Sequence, residues 1–154
     1  MFHIVLVQPE IPQNTGNISR TCSVTGCALH LVRPLGFSID ESHVKRAGLD
    51  YWDTLSLTLH DSFEEVFYSA AKEARFFFAT TKAEKAYSNV EYRDGDYLVF
   101  GRETAGLGDE FLAKWKDNHI RIPMLPDKRS LNLSNSVAIV LYEALRQTGF
   151  PGLV

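Results

Sequence analysis

Cysteine is scarce in this chain, and its two copies, Cys22 and Cys27, exclude a disulfide framework. Their spacing is not CxxC, and no second pair completes a zinc site. Both read as reduced and mostly buried. The five histidines, His3, His30, His43, His60 and His119, include no HExxH pair, so no metal is expected. No window approaches ~18 unbroken apolar residues, so no transmembrane helix is read. The start, Met1 to Gln8, lacks a basic segment and a small-residue cleavage site. It does not read as a signal peptide, and the expected location is the cytoplasm. Excess positive charge is missing too: 16 Lys and Arg stand against 19 Asp and Glu, a net charge of −3. Nucleic-acid partners reward a positive excess, so any such contact must rest on local clusters. The adjacent pairs Lys45-Arg46 and Lys128-Arg129 are available, with Arg20, Arg33, Arg102 and Arg121 near turns or strand ends, and solvated surface charge is the preferred reading for most of them.

What is present is an ordinary globular composition. The 154 residues are 45% hydrophobic and 23% charged, which suits one domain over residues 1–154 with a full core. Strand and helix patterns alternate. Phe2 to Val7 reads as a first strand, and Asn14 as the cap of a helix running to Thr25 and stopped by Gly26. Ala28 to Val32 is the next strand, followed by a short helix from Asp40 through Ala47 and an outer strand from Leu55 to Leu59. Asp61 or Ser62 caps a helix to about Ala74, and Arg75 to Thr80 is a buried strand. Thr81 to Gly95 shows no periodicity and reads as a mobile loop. Tyr97 to Gly101 and His119 to Ile122 are strands flanking a helix from Asp109 to Trp115. A last helix starts at Ser134 or Asn135 and runs to Thr148, with Val137, Val140, Leu141, Ala144 and Leu145 as its apolar stripe. This order implies an α/β three-layer sandwich with a mostly parallel sheet.

In such sheets ligands bind beyond the carboxyl ends of the strands. The polar stretch Ser130-Leu131-Asn132-Leu133-Ser134-Asn135-Ser136 falls at that edge. It reads either as an elaborate helix start or as a wall of donors and acceptors. Gly101 to Gly108 also follows a strand. It is neither GxGxxG nor a P-loop, so a structural turn and a backbone wall for a flat ligand stay equally open. Asn17 and Arg20, three residues apart on the first helix, can hold a phosphate or ribose; a solvated arginine is the equal alternative. No Ser-His-Asp set is placed, and Glu103 reads as a cap or interface carboxylate in preference to a general base.

Three segments resemble, in order, the three motifs of the SPOUT RNA methyltransferases. They are Pro9 to Arg20, Phe100 to Leu107, and Ile122-Pro123-Met124 with Ser130 to Asn135. Arg46 to Tyr51 and Tyr142 to Gln147 narrow the resemblance to the short tRNA 2′-O-methyltransferases acting on the wobble cytidine or uridine, position 34. Gly108 stands where relatives often have Pro, and Ala105 where they often have Arg or Ser.

The resemblance implies a C-terminal trefoil knot, which topological rules alone would disfavour, and a homodimer built on the first and last helices. It implies S-adenosylmethionine as cofactor, held by Ala79, Gly101, Ile122 and Ser130 with Met124, Leu131 and Asn132 nearby. It implies Arg20 on the acceptor side, positioned by Asn14 and Asn17, with Ser134 and Tyr142 completing the pocket. A guanidinium is a poor base at neutral pH, so Arg20 is read as a phosphate clamp or alkoxide stabiliser. The tRNA anticodon stem-loop would meet Lys45, Arg46, Lys128 and Arg129, pooled from two chains. Alternatives are a same-superfamily enzyme acting on another tRNA or rRNA nucleotide, and a non-catalytic RNA- or nucleotide-binding module. No membrane or metal partner is expected.

Overall fold

A computed structural model describes residues 1–39 and 53–154. The helix expected from Asp40 through Ala47, together with Lys45 and Arg46, lies outside the described residues. The strands are β1 (His3–Val7), β2 (Ala28–Val32), β3 (Leu57–His60), β4 (Phe76–Ala79), β5 (Tyr97–Phe100) and β6 (His119–Ile120). They form one sheet in the order β3-β2-β1-β5-β4-β6, and every pairing among them is parallel. The described helices are α1 (Pro12–Thr25), α2 (Phe63–Ser69), α3 (Asp109–Lys114) and α4 (Leu133–Gln147).

Both sheet faces are covered, as a parallel sheet requires. Ile4, Leu6, Leu29, Leu31, Leu98 and Phe100 form one core with Ile18 and Cys22 of α1 and Val137 and Leu141 of α4. The alternate residues Val5, Val7, Val32, Phe76, Phe78 and Val99 form the other, under Phe63 and Val66 of α2 and Leu112 of α3. The expected three-layer α/β architecture is therefore observed. On α4, Val137, Val140, Leu141 and Ala144 are wholly buried, and burying each large apolar side chain contributes about 1.5–3 kcal/mol. Both cysteines are free and buried, and the apolar surroundings push the Cys22 thiol up.

Several strand ends shift by one or two residues, and three helix boundaries and one loop differ for reasons that the contacts show. α1 starts at Pro12, not at Asn14, because proline suits the first helical position, where no intrahelical N–H bond is missed. α2 is capped by Ser62, as expected, but ends at Ser69. Only Phe63 and Val66 are buried there, and Tyr68 is 78% exposed, so no apolar face supports a further turn. α4 starts at Leu133 and its cap is Asn132, whose Oδ1 accepts from the amides of Ser134 and Asn135. The segment from Thr81 to Gly95 is packed rather than free. Tyr92 is buried and its hydroxyl donates to the Tyr87 carbonyl. The Gln147 side chain of α4 accepts from the Tyr92 amide and donates to the Val90 carbonyl.

Three histidines cross one sheet face from β1 to β3. His3 Nδ1 lies 3.0 Å from His30 Nε2, and His30 Nδ1 lies 3.0 Å from His60 Nε2. His3 also stacks on Tyr97 with ring centroids 4.1 Å apart. Burial, reinforced by its two histidine neighbours, lowers the His30 pKa to about 4 from an ordinary 6.5. Between those values the unfolded chain binds a proton that the folded chain does not. Stability is therefore complete above pH 6.5 and falls as pH drops towards 4. Urea midpoints recorded between pH 7.5 and 4.5 are expected to decline through this window, and less steeply for His30→Gln.

Candidate functional site

A cleft of about 580 Å³ opens at the carboxyl ends of β4, β5 and β6. This is the sheet edge where a ligand is expected. Three loops wall it: Ala79 to Lys82 after β4, Phe100 to Gly108 after β5, and Ile122 to Leu133 between β6 and α4. Of the residues expected to hold a cofactor, Ala79, Gly101, Ile122, Met124, Ser130 and Leu131 all line it. Asn132 does not. It sits just behind the wall, where Nδ2 donates to Asn14 Oδ1 at 3.1 Å while Oδ1 caps α4.

The glycine loop is shaped first by its own backbone. The Arg102 amide donates to the Gly106 carbonyl at 3.1 Å, and the Gly106 amide returns a bond to the Arg102 carbonyl at 2.9 Å. A Cβ on Gly101 would lie 2.1 Å from the Gly106 carbonyl carbon and 2.3 Å from the Leu107 nitrogen. Gly106 itself has φ +62°, the left-handed region that favours glycine. The loop is thus a self-closing turn that also forms a cleft wall.

Glu103 faces away from chemistry. Its carboxylate accepts from the amides of Glu10, at 3.0 and 3.2 Å, and Ile11, at 2.5 Å. It therefore caps α1, which has no side-chain cap of its own and no acid in its first turn. Glu10 answers by accepting from the Thr104 amide and hydroxyl at 3.1 and 2.7 Å. Those two bonds, hydroxyl first, hold the Glu10 carboxyl below its usual range. The cap reading of Glu103 is borne out, with the cap delivered across the fold.

On α1, Asn14 is buried against Asn132, whereas Asn17 and Arg20 are exposed. None of the three lines the cleft. Gln13, Asn17, Arg20 and Val24 form one exposed stripe, and Asn135, Ile139, Tyr142 and Arg146 of the neighbouring α4 form another. Tyr142 thus lies on the open helix face, and the Ser134 hydroxyl is engaged at 2.5 Å with Asn132 Oδ1. Neither lines the cleft, because the start of α4 turns Leu133 and Ser136 towards it instead. Arg129 stands at the cleft mouth, while Lys128 pairs with Asp127 at 3.2 Å. Lys82 and Arg102, not assigned to the site from the sequence, also line the cleft. Their position directly after β4 and β5 was the available signal. Lys82 is paired with Asp109 at the start of α3. Among the described residues no cluster of His, Cys, Asp and Glu is suited to a metal ion, and no helix is long and apolar enough to cross a membrane.

Residues 1–142 match the SpoU rRNA Methylase family. The chain is 51% identical to a tRNA (cytidine(34)-2′-O)-methyltransferase of Escherichia coli, over all of this chain and 98% of that protein. It is 50% identical to the enzyme of the same description from Methylovorus glucosotrophus, over the whole of both. Among solved structures it superimposes with a TM-score of 0.92 and 46% identity on a protein studied for 2-OH methylation of C/U34 on tRNA, with 97% of each chain covered. The SpoU methyltransferase AviRb of Streptomyces viridochromogenes, solved with AdoMet, shares the fold at TM-score 0.82 and 22% identity, over 95% of this chain and 60% of that one.

Proposed function

This chain belongs to the SpoU rRNA methylase family, and from that premise we propose that it methylates the ribose 2′-hydroxyl of the wobble nucleotide, cytidine or modified uridine at position 34, of tRNA. The observation that carries the reading is the full-length identity of about one residue in two with enzymes described as acting on cytidine 34 of tRNA, on a chain whose second and third motif segments wall one cleft and whose first is tied to that wall through Asn14 and Asn132.

S-adenosylmethionine is the cofactor of this proposal, and it supplies a sulfonium-activated methyl group when bound. The cleft suits it. Its volume lies within the small-ligand range. Ala79, Ile122 and Leu131 offer apolar cover for a flat base. The loop backbones at 101–108 and 122–133 offer amides and carbonyls, and the Ser130 hydroxyl a further polar group. These residues act by orientation, bringing the acceptor into line and excluding water. Arg20 holds the phosphate beside the acceptor or stabilises the developing alkoxide, with Asn17 beside it and Asn14 fixing the first turn of α1. Arg102 and Arg129 give the cleft mouth positive charge for the RNA backbone.

The proposal includes a homodimer through α1 and α4. Its support is the paired exposed stripes, with Val24 and Tyr142 at 48% and 46% exposure. Arg20 lies on that face and outside its own chain's cleft, so pairing would deliver it to the partner's cleft. A trefoil knot is also part of the proposal. The segment 122–133 leaves the β6 edge, shares the cleft with the loops after β4 and β5, and enters a helix packed on α1. A cytoplasmic location follows from the tRNA substrate.

The test is mass spectrometry of tRNA nucleosides after incubation with the protein and S-adenosylmethionine, with the modified position mapped. A 2′-O-methyl group at position 34 is expected. Methylation elsewhere in tRNA or rRNA would move the specificity within the superfamily. Absence of S-adenosylmethionine binding by calorimetry would leave a non-catalytic module.

A further inference from the structure

Glu103 sits in the cleft wall but spends its carboxylate on α1. Both oxygens are engaged by backbone amides, so it is not available as a base. Thr104 and Glu10 close the contact from the other direction. Residues 10–11 and 103–104 therefore grip each other reciprocally. The loop behind this grip is stiff, because Gly101 is packed directly against Gly106 and Leu107 and Arg102 pairs with Gly106. A displacement of the loop is thus a displacement of the first turn of α1. A second tie runs from the opposite wall, where Asn132 bonds Asn14 of the same first turn. α1 is the helix that bears Asn17 and Arg20 on its exposed face.

We propose that Glu103 is a positioning residue: through its grip on Glu10 and Ile11 it sets the placement of α1, and hence of Arg20, according to what occupies the cleft. The inference rests on the methyltransferase reading given above. Coupling of this kind is reciprocal. A ligand that orders the 101–108 loop orders the start of α1, and RNA that fixes α1 tightens the loop. The rival role is a plain helix cap, worth stability alone.

The two roles separate by moving the cap into the local chain. Ile11 occupies the N-cap position in an extended conformation, φ −106° and ψ 114°, with no side-chain cap bond. Ile11→Asp can supply a cap without touching the cleft loop. Glu103→Ala is expected to lower kcat by about 10- to 100-fold while the dissociation constant for S-adenosylmethionine stays within about threefold. In the wild type, S-adenosylmethionine is expected to slow hydrogen exchange of the Asn14 and Thr15 amides, which bond to the Ile11 carbonyl. In Glu103→Ala that slowing should vanish. Adding Ile11→Asp to Glu103→Ala should restore the melting temperature but neither kcat nor the exchange response. Recovery of kcat together with melting temperature would reduce Glu103 to a cap and overturn the proposal. So would a rise in the cofactor dissociation constant matching the loss of rate. If the wild type binds S-adenosylmethionine but methylates no tRNA, the functional reading fails, and the exchange arm still decides whether Glu103 couples cleft to helix.

Discussion

Arg20→Ala is expected to cut methyl transfer to tRNA by about 10²–10³-fold, the loss typical of removing one preorganised group that stabilises developing charge. S-adenosylmethionine affinity should be nearly unchanged, because Arg20 lies on the open face of α1 and outside the cleft of its own chain. Single-turnover rates and calorimetry on the same preparation check both halves. The placement makes a sharper version possible. If pairing through α1 and α4 carries Arg20 to the partner's cleft, an Arg20→Ala subunit still owns a sound cleft. Mixed with a subunit whose cleft is blocked but whose Arg20 is intact, it should recover roughly a quarter of wild-type activity, from random assembly of two-fold dimers. No recovery would put Arg20 and the cleft to work within one chain.

The second prediction concerns the cleft wall. Gly101→Ala adds one methyl group, yet that methyl meets backbone on the far side of the turn, at 2.1 Å from the Gly106 carbonyl carbon. No rotamer relieves a contact with main chain, so the Arg102–Gly106 turn must open. Overpacking of this kind costs about 1–3 kcal/mol, and here the displaced atoms are the cleft wall. S-adenosylmethionine binding should become undetectable by calorimetry, while far-ultraviolet circular dichroism keeps the α/β signature. Retained binding would mean that the 101–108 turn is not the part of the wall that meets the ligand.

The sequence revealed elements wherever periodicity or punctuation was local. β2 spans Ala28–Val32 as read, Gly26 stops α1 in the left-handed conformation, and Ser62 caps α2. The strand-end rule located the cleft, and six of the seven residues that the motif resemblance implied for the cofactor line it. What was hidden depends on partners far along the chain. Asn14 looked like a cap because it is an asparagine near a helix start, but Pro12 sets the start and Glu103 closes it. Thr81 to Gly95 lacks periodicity because distant partners hold it, with Gln147 meeting Val90 and Tyr92 and the Tyr87 amide donating to the Arg121 carbonyl. Ser134 and Tyr142 were assigned to the pocket by motif, whereas the helical turn from Asn132 aims Leu133 and Ser136 there.

The remote cap on α1 also governs the order in which this chain can become native. Ile11 waits for a residue 92 positions later, and central strand β1 waits until residues 97–100 for its second neighbour. A nascent chain that has emerged only through β4 therefore holds its first helix with an unsatisfied positive end and its first strand with an open edge. Local contacts cannot complete either. The N-terminal half therefore lacks partners that it needs: the second edge of β1 and the cap of α1 are supplied only once synthesis has passed residues 97–104.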